Sequence, residues 1–334
     1  MKIEVSKKDI IIMFLIIILF IVLYNRRRNY EGFEVNNNPD VIIMSTMLGK
    51  AYANRIAKEM NLIKPSLNIK VLNVEELKSQ CDHLLGKPKL IITRAANPYN
   101  PGWIKCLQRM EEKGVKVMNP TKVLQLTSNK LKSSIHFMSE GLPHPFSKDG
   151  KHNDNKTIKT IKDMLQKYNK VIIKPYTSSA QGKYVQIIDK TMNNVVIKNK
   201  IKLIPTSQFV IQEYVPYLAI YRVIVVNNKA LPLSYKDVPN GNKWKVSVCL
   251  NPNMQFIANP DPKLLRTAER VQRSILDGGV HFIDLFELKD GSYTISEVNT
   301  ACSLLLHERK AKAVNHKYHN IAHHLAKYYV TLIN

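Results

Sequence analysis

The chain has 334 residues, enough for two or three compact domains, and its hydrophobic content of 45% is ordinary for a globular protein. The net charge of +24 favours polyanionic partners, although lysine is abundant throughout and a composition bias alone could produce this charge. The widely spaced cysteines argue against a zinc site or a disulfide framework and favour reduced thiols in a cytosolic compartment. They are Cys81, Cys106, Cys249 and Cys302.

The first 30 residues contain an unbroken apolar run at 10–24, with basic residues on both sides. Because no small-residue cleavage site follows the run, we expect an uncleaved single-pass N-terminal membrane anchor within 1–30. A cleaved signal peptide is the rival interpretation. The arginine triplet at 26–28 favours a body that lies in the cytoplasm, and residues 31–39 are expected to form a polar linker.

Residues 40–120 alternate between short apolar strands and helical segments. This alternation predicts an α/β domain with a small, doubly wound, Rossmann-like parallel sheet. No GxGxxG sequence is present, so a dinucleotide is not indicated. The predicted strands are 41–45, 68–72, 89–93 and 115–118, and the predicted helices are 50–60, 75–85 and 103–113.

Residues 121–334 mix helices with strands in a different order. Gly141 followed by Pro143 and Pro145 marks a clear end to the first of these helices. The predicted helices are 122–138, 155–168, 262–276 and 308–332. The predicted strands are 170–175, 184–188, 209–214, 221–226, 229–233, 281–288 and 293–298.

The last two strands are predicted to form a hairpin that carries three oxygen-bearing side chains. Glu297 and Asn299 are two residues apart and therefore share one face of their strand. If Asp284 projects towards that face from the partner strand, hard oxygen ligands that suit Mg²⁺ converge. An edge hairpin with solvated acidic residues is the alternative.

Two further segments suit ATP. Lys174 ends a buried strand just before a loop of small residues at 177–182, and lysine amines with backbone N–H groups can surround phosphate. Gln212, Glu213 and Tyr214 end another strand and offer main-chain groups for an adenine edge. The chain thus carries, in this order, a lysine for phosphate, a strand end for adenine and acidic residues for a metal ion. This order indicates an ATP site without a Walker motif. A solvated strand-end lysine is the alternative for Lys174.

From about Asp40 onwards, the chain resembles the ATP-grasp superfamily, within it the branch of the ribosomal-protein glutamate ligase RimK and glutathione synthetase. The resemblance implies a pre-ATP-grasp domain at 40–120 and a two-lobed α+β ATP-grasp domain at 121–334. It rests on Asn119-Pro120, Asn129-Lys130, Gly141 to Pro145, the segment VIIKPYTSSAQGKYV, Gln212 to Val215, Tyr221 to Val225, and Asp284 with Glu297 and Asn299.

The resemblance also implies roles for individual residues. Lys130 and Lys174 would contact ATP phosphates together with the loop residues Gln181 and Gly182. Gln212, Glu213, Tyr214 and Val215 would hold adenine. Arg222 would face the acyl-phosphate or the substrate, which makes Arg222 and Lys174 the predicted catalytic residues, although Arg222 could instead form a structural ion pair. Asp284, Glu297 and Asn299 would bind two Mg²⁺.

The predicted function is therefore an ATP-dependent ligase that joins a carboxylate to an amine through an acyl-phosphate, with glutamate or an acidic peptide as an expected substrate. The need for ATP also favours a cytoplasmic body. No specific nucleic-acid partner is expected. Lys236, Lys243 and Lys245 are candidates to bind an acidic substrate.

Two departures from the family pattern support an alternative. Gly182 stands alone in a loop that normally carries several glycines, and Ile220 replaces the acid that usually holds the ribose. A catalytically inactive ATP-grasp-fold binding protein tethered to a membrane is therefore the second hypothesis.

Overall fold

Four parallel strands with nearly continuous apolar sequences form the N-terminal sheet. In the computed structural model, the described residues are 38–47, 49–94, 101–177, 184–239, 253–302 and 304–333. The strands run in the order β2-β1-β3-β4. Runs such as VIIMS are typical of parallel strands that are covered on both faces. The strands are β1 (Val41–Ser45), β2 (Ile69–Asn73), β3 (Leu90–Arg94) and β4 (Lys116–Met118).

The helices that connect these strands confirm the predicted βα alternation. The predicted helix at 75–85 consists of two short helices with Gln80 between them. Asn73 caps the first of the two, because its side chain accepts a hydrogen bond from the Glu76 N–H at 2.8 Å. The helices are α1 (Lys50–Ile63), α2 (Val74–Ser79), α3 (Cys81–Leu84) and α4 (Pro101–Glu112).

The expectation that all cysteines are reduced was wrong for one pair. Cys81 begins α3, Cys106 lies in α4, and the two form a disulfide with their Cα atoms 5.9 Å apart. Both residues are buried in the core on this side of the sheet. A separation of 25 residues does not predict the bond, because the packing of α3 and α4 brings the two thiols together.

The helix predicted at 122–138 is two helices, α5 (Thr121–Ser128) and α6 (Lys130–Ser139). Asn129 separates them with extended backbone dihedrals, and its side chain accepts hydrogen bonds from the N–H groups of Leu131 and Lys132, both at 3.0 Å. The break places Lys130 in the first turn of α6.

A small lobe follows, with its own antiparallel sheet in the order β5-β8-β6-β7. The sequence did not reveal β5 or α8, because SKDGK lacks apolar residues and NVVIKNKIK has a weak helical pattern. The elements are β5 (Ser147–Lys151), α7 (Asn155–Tyr168), β6 (Lys170–Pro175), β7 (Gln186–Asp189), α8 (Asn194–Lys202) and β8 (Gln208–Glu213).

The remaining strands form an antiparallel central sheet in the order β11-β10-β9-β12-β13. One segment predicted as a helix, 308–332, is two helices. The elements are β9 (Ala219–Val226), β10 (Lys229–Asp237), β11 (Gln255–Ile257), α9 (Pro262–Ile275), β12 (Val280–Glu287), β13 (Tyr293–Asn299), α10 (Leu305–Ala313) and α11 (Ile321–Thr331).

One hydrophobic core joins the N-terminal sheet to the central sheet. Val41 and Ile92 from the parallel strands share this core with Ile224 of β9, Phe282 of β12 and Leu325 of α11. Residues Pro39–Asn334 accordingly form one compact unit. The shared core brings the carboxyl ends of β1 and β3 close to β12.

The predicted membrane anchor at 10–24 lies outside the described residues. Within the described ranges, the helices are too short or too polar to cross a bilayer.

Candidate functional site

The hairpin of β12 and β13 brings the three predicted metal ligands onto one face of the central sheet. Asp284 is the direct cross-strand partner of Glu297, and Phe282 is the partner of Asn299. Because residues two apart on a strand share a face, the three ligands project to the same side. The register shifts just after Asp284, and such bulges re-aim side chains next to functional sites.

Asp284 is paired with Arg222 from the neighbouring strand β9. Arg222 donates from Nε to Oδ1 and from Nη2 to Oδ2, each at 2.7 Å. Both residues are buried, with 4% and 5% of their surface exposed. The two-pronged contact satisfies both charges, which offsets much of the desolvation cost of burying them. The third guanidinium nitrogen, Nη1, lies 3.3 Å from the Cys302 sulfur.

Glu297 is paired with Lys130 from the start of α6. The Lys130 Nζ lies 2.7 Å from Glu297 Oε1. The Lys130 backbone N–H donates to the Tyr176 carbonyl at 2.7 Å, which ties α6 to the segment after β6. Burial raises the pKa of Glu297, but the charges of Lys130, Lys174 and Arg222 outweigh it and hold that pKa below its ordinary value.

Lys174 is the least compensated cation of the site. It is buried at the end of β6, and its Nζ donates to Gln212 Oε1 at 2.8 Å. Gln212 in turn donates to the Ser147 hydroxyl at 2.8 Å. Burial, together with the positive charge of Lys130, lowers the pKa of Lys174 to about 7, against the opposing effect of Glu297. An anion placed beside Lys174 would restore its charge.

The predicted adenine segment follows directly after β8. The Glu213 N–H donates to the Phe146 carbonyl at 2.9 Å, and the Tyr214 N–H donates to the Lys170 carbonyl at 3.2 Å. These two N–H groups are therefore used within the small lobe, next to β5 and β6. Gln181 and Gly182 lie outside the described residues.

The donor set suits a hard cation and not zinc. Two carboxylates and one amide share the face, whereas among the described residues no group of three His, Cys, Asp or Glu side chains could hold a metal ion. Mg²⁺ is typically held by one or two carboxylates with water and phosphate oxygens. Asp284, Glu297 and Asn299 therefore fit Mg²⁺, with Arg222 and Lys130 balancing the two carboxylates in the absence of ligand.

Lys236 and Arg94 are two further basic residues with described contacts. Lys236 is a candidate for substrate binding, and its Nζ lies 3.5 Å from Glu287 Oε2. The other two candidates, Lys243 and Lys245, lie outside the described residues. Arg94 at the end of β3 was missed, because no motif surrounds it. Its Nη2 donates to the Cys302 carbonyl at 2.5 Å, only three residues after Asn299.

Comparisons with known proteins identify the fold. Residues 153–302 match the family model for the ATP-grasp domain of prokaryotic glutathione synthetase. The D-cycloserine synthetase DcsG has a similar structure, with a TM-score of 0.69 and 12% sequence identity over 88% of this chain and 100% of that one. This chain has the ATP-grasp fold.

Two further ATP-grasp structures extend the comparison. The ATP-grasp ligase PsnB, complexed with its precursor peptide PsnA2 and AMPPNP, has a TM-score of 0.64 and 13% identity, over 91% of this chain and 100% of that one. The D-alanine–D-alanine ligase from Bacillus anthracis complexed with ATP has a TM-score of 0.62 and 15% identity, over 89% and 98%. No curated protein sequence matches this chain.

These matches confirm the predicted ATP-grasp resemblance at the level of the fold. The matched family segment contains Lys174, Gln212, Arg222 and the three predicted metal ligands, and it excludes Lys130 and the N-terminal sheet. The named structures are ligases or synthetases, in agreement with the predicted enzyme class.

Proposed function

We propose that this chain is an ATP-dependent ligase that forms an amide bond between a carboxylate and an amine. One observation carries the proposal: Lys130, Lys174 and Arg222 converge with Asp284 and Glu297 in an ATP-grasp fold. Such a set of cations and oxygen ligands suits phosphoryl transfer, where positioning and charge neutralisation account for nearly all of the catalysis.

The reaction proceeds in two balanced steps. A substrate carboxylate oxygen attacks the γ-phosphorus of ATP, and the bond to the β-γ bridging oxygen breaks to give ADP and an acyl-phosphate. The amine then attacks the acyl carbon, the amide bond forms, phosphate leaves, and the amine proton passes to solvent. No side chain acts as a nucleophile, which agrees with a site made of cations and oxygen ligands.

The cations divide this work between them. Lys130 and Lys174 neutralise the ATP phosphates together with Gln181 and Gly182, while Gln212 to Val215 holds adenine. Arg222 uses two nitrogens on Asp284, and its Nη1 lies beside the weakly accepting Cys302 sulfur. The guanidinium would face the phosphorylated substrate.

Asp284, Glu297 and Asn299 would hold Mg²⁺, and we propose two ions. When bound, Mg²⁺ supplies further positive charge to the transferred phosphoryl group.

We further propose that the chain belongs to the RimK and glutathione synthetase branch, with a glutamate or an acidic peptide as a substrate. A single-pass anchor at residues 10–24 would hold a cytoplasmic body, which the arginine triplet and the use of ATP support. A specific nucleic-acid partner is not part of the proposal.

A second candidate is a membrane-tethered ATP-grasp protein that binds ligand without turnover. Ile220, which stands where the resemblance expects the ribose-binding acid, is 6% exposed and apolar. A missing ribose contact would weaken nucleotide binding, and an inactive relative would show this together with the loss of catalysis.

Turnover of ATP separates these candidates. The full-length chain is incubated with Mg²⁺-ATP and pairs of amino acids that include glutamate, and ADP release is measured with hydroxylamine present to trap an acyl-phosphate as a hydroxamate. A ligase releases ADP only when a carboxylate is present and yields the hydroxamate. Folded protein that releases no ADP with any pair overturns the ligase proposal and favours the binding protein.

Two variants in the same hairpin make this experiment specific. Glu297→Gln removes a metal ligand and should abolish ADP release. Asp290→Asn changes an exposed acid in the turn of the hairpin and should leave the rate unchanged.

A further inference from the structure

Two buried polar side chains lie next to each other at the carboxyl edge of the N-terminal sheet. Ser45 ends β1, Arg94 ends β3, and the two are register partners on adjacent parallel strands. They therefore project from the same face, the one that Val41, Ile43 and Ile92 bury in the core shared with the central sheet. Ser45 is 1% exposed and Arg94 is 7% exposed.

The described groups that contact Arg94 directly carry no negative charge, and the Glu308 carboxylate beyond Tyr52 is paired with Arg55. The Arg94 guanidinium carbon lies 5.6 Å from the Tyr52 ring centre and 5.1 Å from that of Phe282, and the Tyr329 hydroxyl also faces it. Nη2 donates to the Cys302 carbonyl, whereas Nη1 is buried without a hydrogen-bond partner. In the described part of the chain, Arg94 forms no ion pair with a carboxylate.

This arrangement is unfavourable without a ligand. A buried cation destabilises the fold unless a counter-ion or a full set of hydrogen bonds compensates it. The neighbouring Ser45 hydroxyl is also buried without a partner. Two adjacent unsatisfied groups, one cationic and one able to donate, together form a site for an anion with two oxygens.

The location connects these groups with the ligase site. Phe282, which contacts Arg94, is the cross-strand partner of Asn299. Cys302 offers its carbonyl to Arg94 and its sulfur to Arg222. Ligands of α/β sheets typically bind beyond the carboxyl ends of the strands, where both Ser45 and Arg94 lie.

We propose that Arg94 and Ser45 bind a substrate carboxylate other than the one that ATP phosphorylates. This inference rests on the proposed ligase function. A carboxylate held by a guanidinium has its oxygens occupied by donors and is a poor nucleophile towards phosphorus. The substrate class is therefore one with an extra carboxylate, either on the amine substrate, as in an amino acid, or on the activated substrate, as in a dicarboxylic amino acid.

Replacing each carboxylate with a carboxamide tests the assignment and identifies the source. ADP release by the full-length chain is compared for alanine against alaninamide as the amine, and for glutamate against its α-amide as the acid. For one of the two substrates, the amide form should lower kcat/KM about 100-fold, since a charge-assisted hydrogen bond to a buried arginine is lost. Equal rates for both forms of both substrates overturn the inference and leave the ligase proposal intact.

Variants then assign the effect to these residues. Arg94→Gln should react equally with acid and amide, with an unchanged KM for ATP, and Arg94→Lys should recover part of the discrimination. Ser45→Ala removes a hydroxyl that has no partner, so the melting temperature should not fall while KM for the acid form rises about 10-fold. Arg109→Gln, at an exposed arginine of the same domain, is the control. Discrimination retained in both Arg94→Gln and Ser45→Ala overturns the inference.

A direct binding measurement covers the case in which no substrate pair turns over, which would overturn the ligase proposal. The melting temperature of the full-length chain is then recorded with succinate and with succinamide. A rise with succinate alone, absent in Ser45→Ala, supports the carboxylate site independently of catalysis. The same melting temperature with both compounds overturns the site as well.

Discussion

Two buried cations on neighbouring sheets meet opposite electrostatic surroundings. In the central sheet, Arg222 is held by both oxygens of Asp284. In the small lobe, Lys174 is held by the neutral amide of Gln212, and its pKa is lowered to about 7. The guanidinium in the central sheet is therefore paired with a carboxylate, whereas the lysine in the small lobe has a lowered pKa that a bound anion would raise.

This difference separates two kinds of contribution. The Arg222–Asp284 pair links two adjacent strands and belongs to the fold as much as to the site. We expect Lys174 to weaken the fold by its burial and, under the proposed function, to contribute when phosphate is bound. Substitutions at the two positions should therefore divide between stability and ligand affinity.

Breaking the central pair should have the largest effect. Asp284→Asn leaves the Arg222 guanidinium buried without a counter-ion, and we expect a loss of about 3–5 kcal/mol in the free energy of unfolding. Urea denaturation measures this loss. Asp290→Asn in the same hairpin should change stability by less than about 0.5 kcal/mol. A loss of under 1 kcal/mol for Asp284→Asn would contradict the view that this pair stabilises the fold.

Substitution of Lys174 should show the reverse pattern. Lys174→Met removes a buried charge that has only a neutral partner, so stability should stay the same or rise. The dissociation constant of Mg²⁺-ATP should increase about 100-fold, because a charge-assisted contact to phosphate is lost. Titration calorimetry and urea denaturation of the same preparations measure both quantities. An unstable variant with unchanged ATP affinity would make Lys174 a structural residue.

The pH dependence of stability should separate Lys174 from the Arg222 pair. The pKa of Lys174 is about 7 in the folded chain, against an ordinary value of 10.5. At a pH between these two values, Lys174 holds a proton in the unfolded chain that it lacks in the folded chain. Stability should therefore rise with pH through this range, by at most about 1.4 kcal/mol per pH unit from this group.

Lys174→Met should lack that increment, so the wild-type protein should gain stability relative to the variant between pH 7 and pH 9. Parallel curves for the two proteins would show that the lysine keeps its ordinary pKa in the folded state. Asp284→Asn should not remove the increment, which makes it the matched control.

Breaking the half-buried Lys130–Glu297 pair should lower stability less than breaking the Arg222–Asp284 pair. The side chains of Lys130 and Glu297 are 15% and 34% exposed, so solvent screens their attraction more than that of the Arg222 pair. Lys130→Gln should cost about 1 kcal/mol in urea denaturation. A loss as large as that of Asp284→Asn would show that the two pairs are equally important to the fold.

Local patterns in the sequence were sufficient to predict much of this architecture. Apolar strands such as KLIIT and KVIIKP, the turn at Gly291 and the stop at Gly141 lie within a few residues of the structure that they specify. The spacing of Glu297 and Asn299 correctly placed them on one face. Where a pattern was weak, as in the polar strand β5, or where one side chain broke it, as Asn129 does, the element or its boundary was missed.

The pairing of side chains between distant segments was not predictable in this way. Arg222 and Asp284 are 62 residues apart, and Arg94 and Cys302 are 208 apart. Sequence alone could name Arg222 as a substrate contact or a structural ion pair without choosing between them. It also left Arg94 unnoticed and Cys81 and Cys106 unpaired.

By itself, therefore, the sequence determined most of the strands and turns, the order of the segments that resemble ATP-grasp proteins, and the shared strand face of Glu297 and Asn299. The tertiary structure decided which cation meets which carboxylate, which lysine loses its charge, and which arginine lacks a counter-ion. The physical reason is range: strand periodicity and turn formation depend on neighbouring residues, whereas the pairing and desolvation of a charge depend on which sheets and helices pack around it.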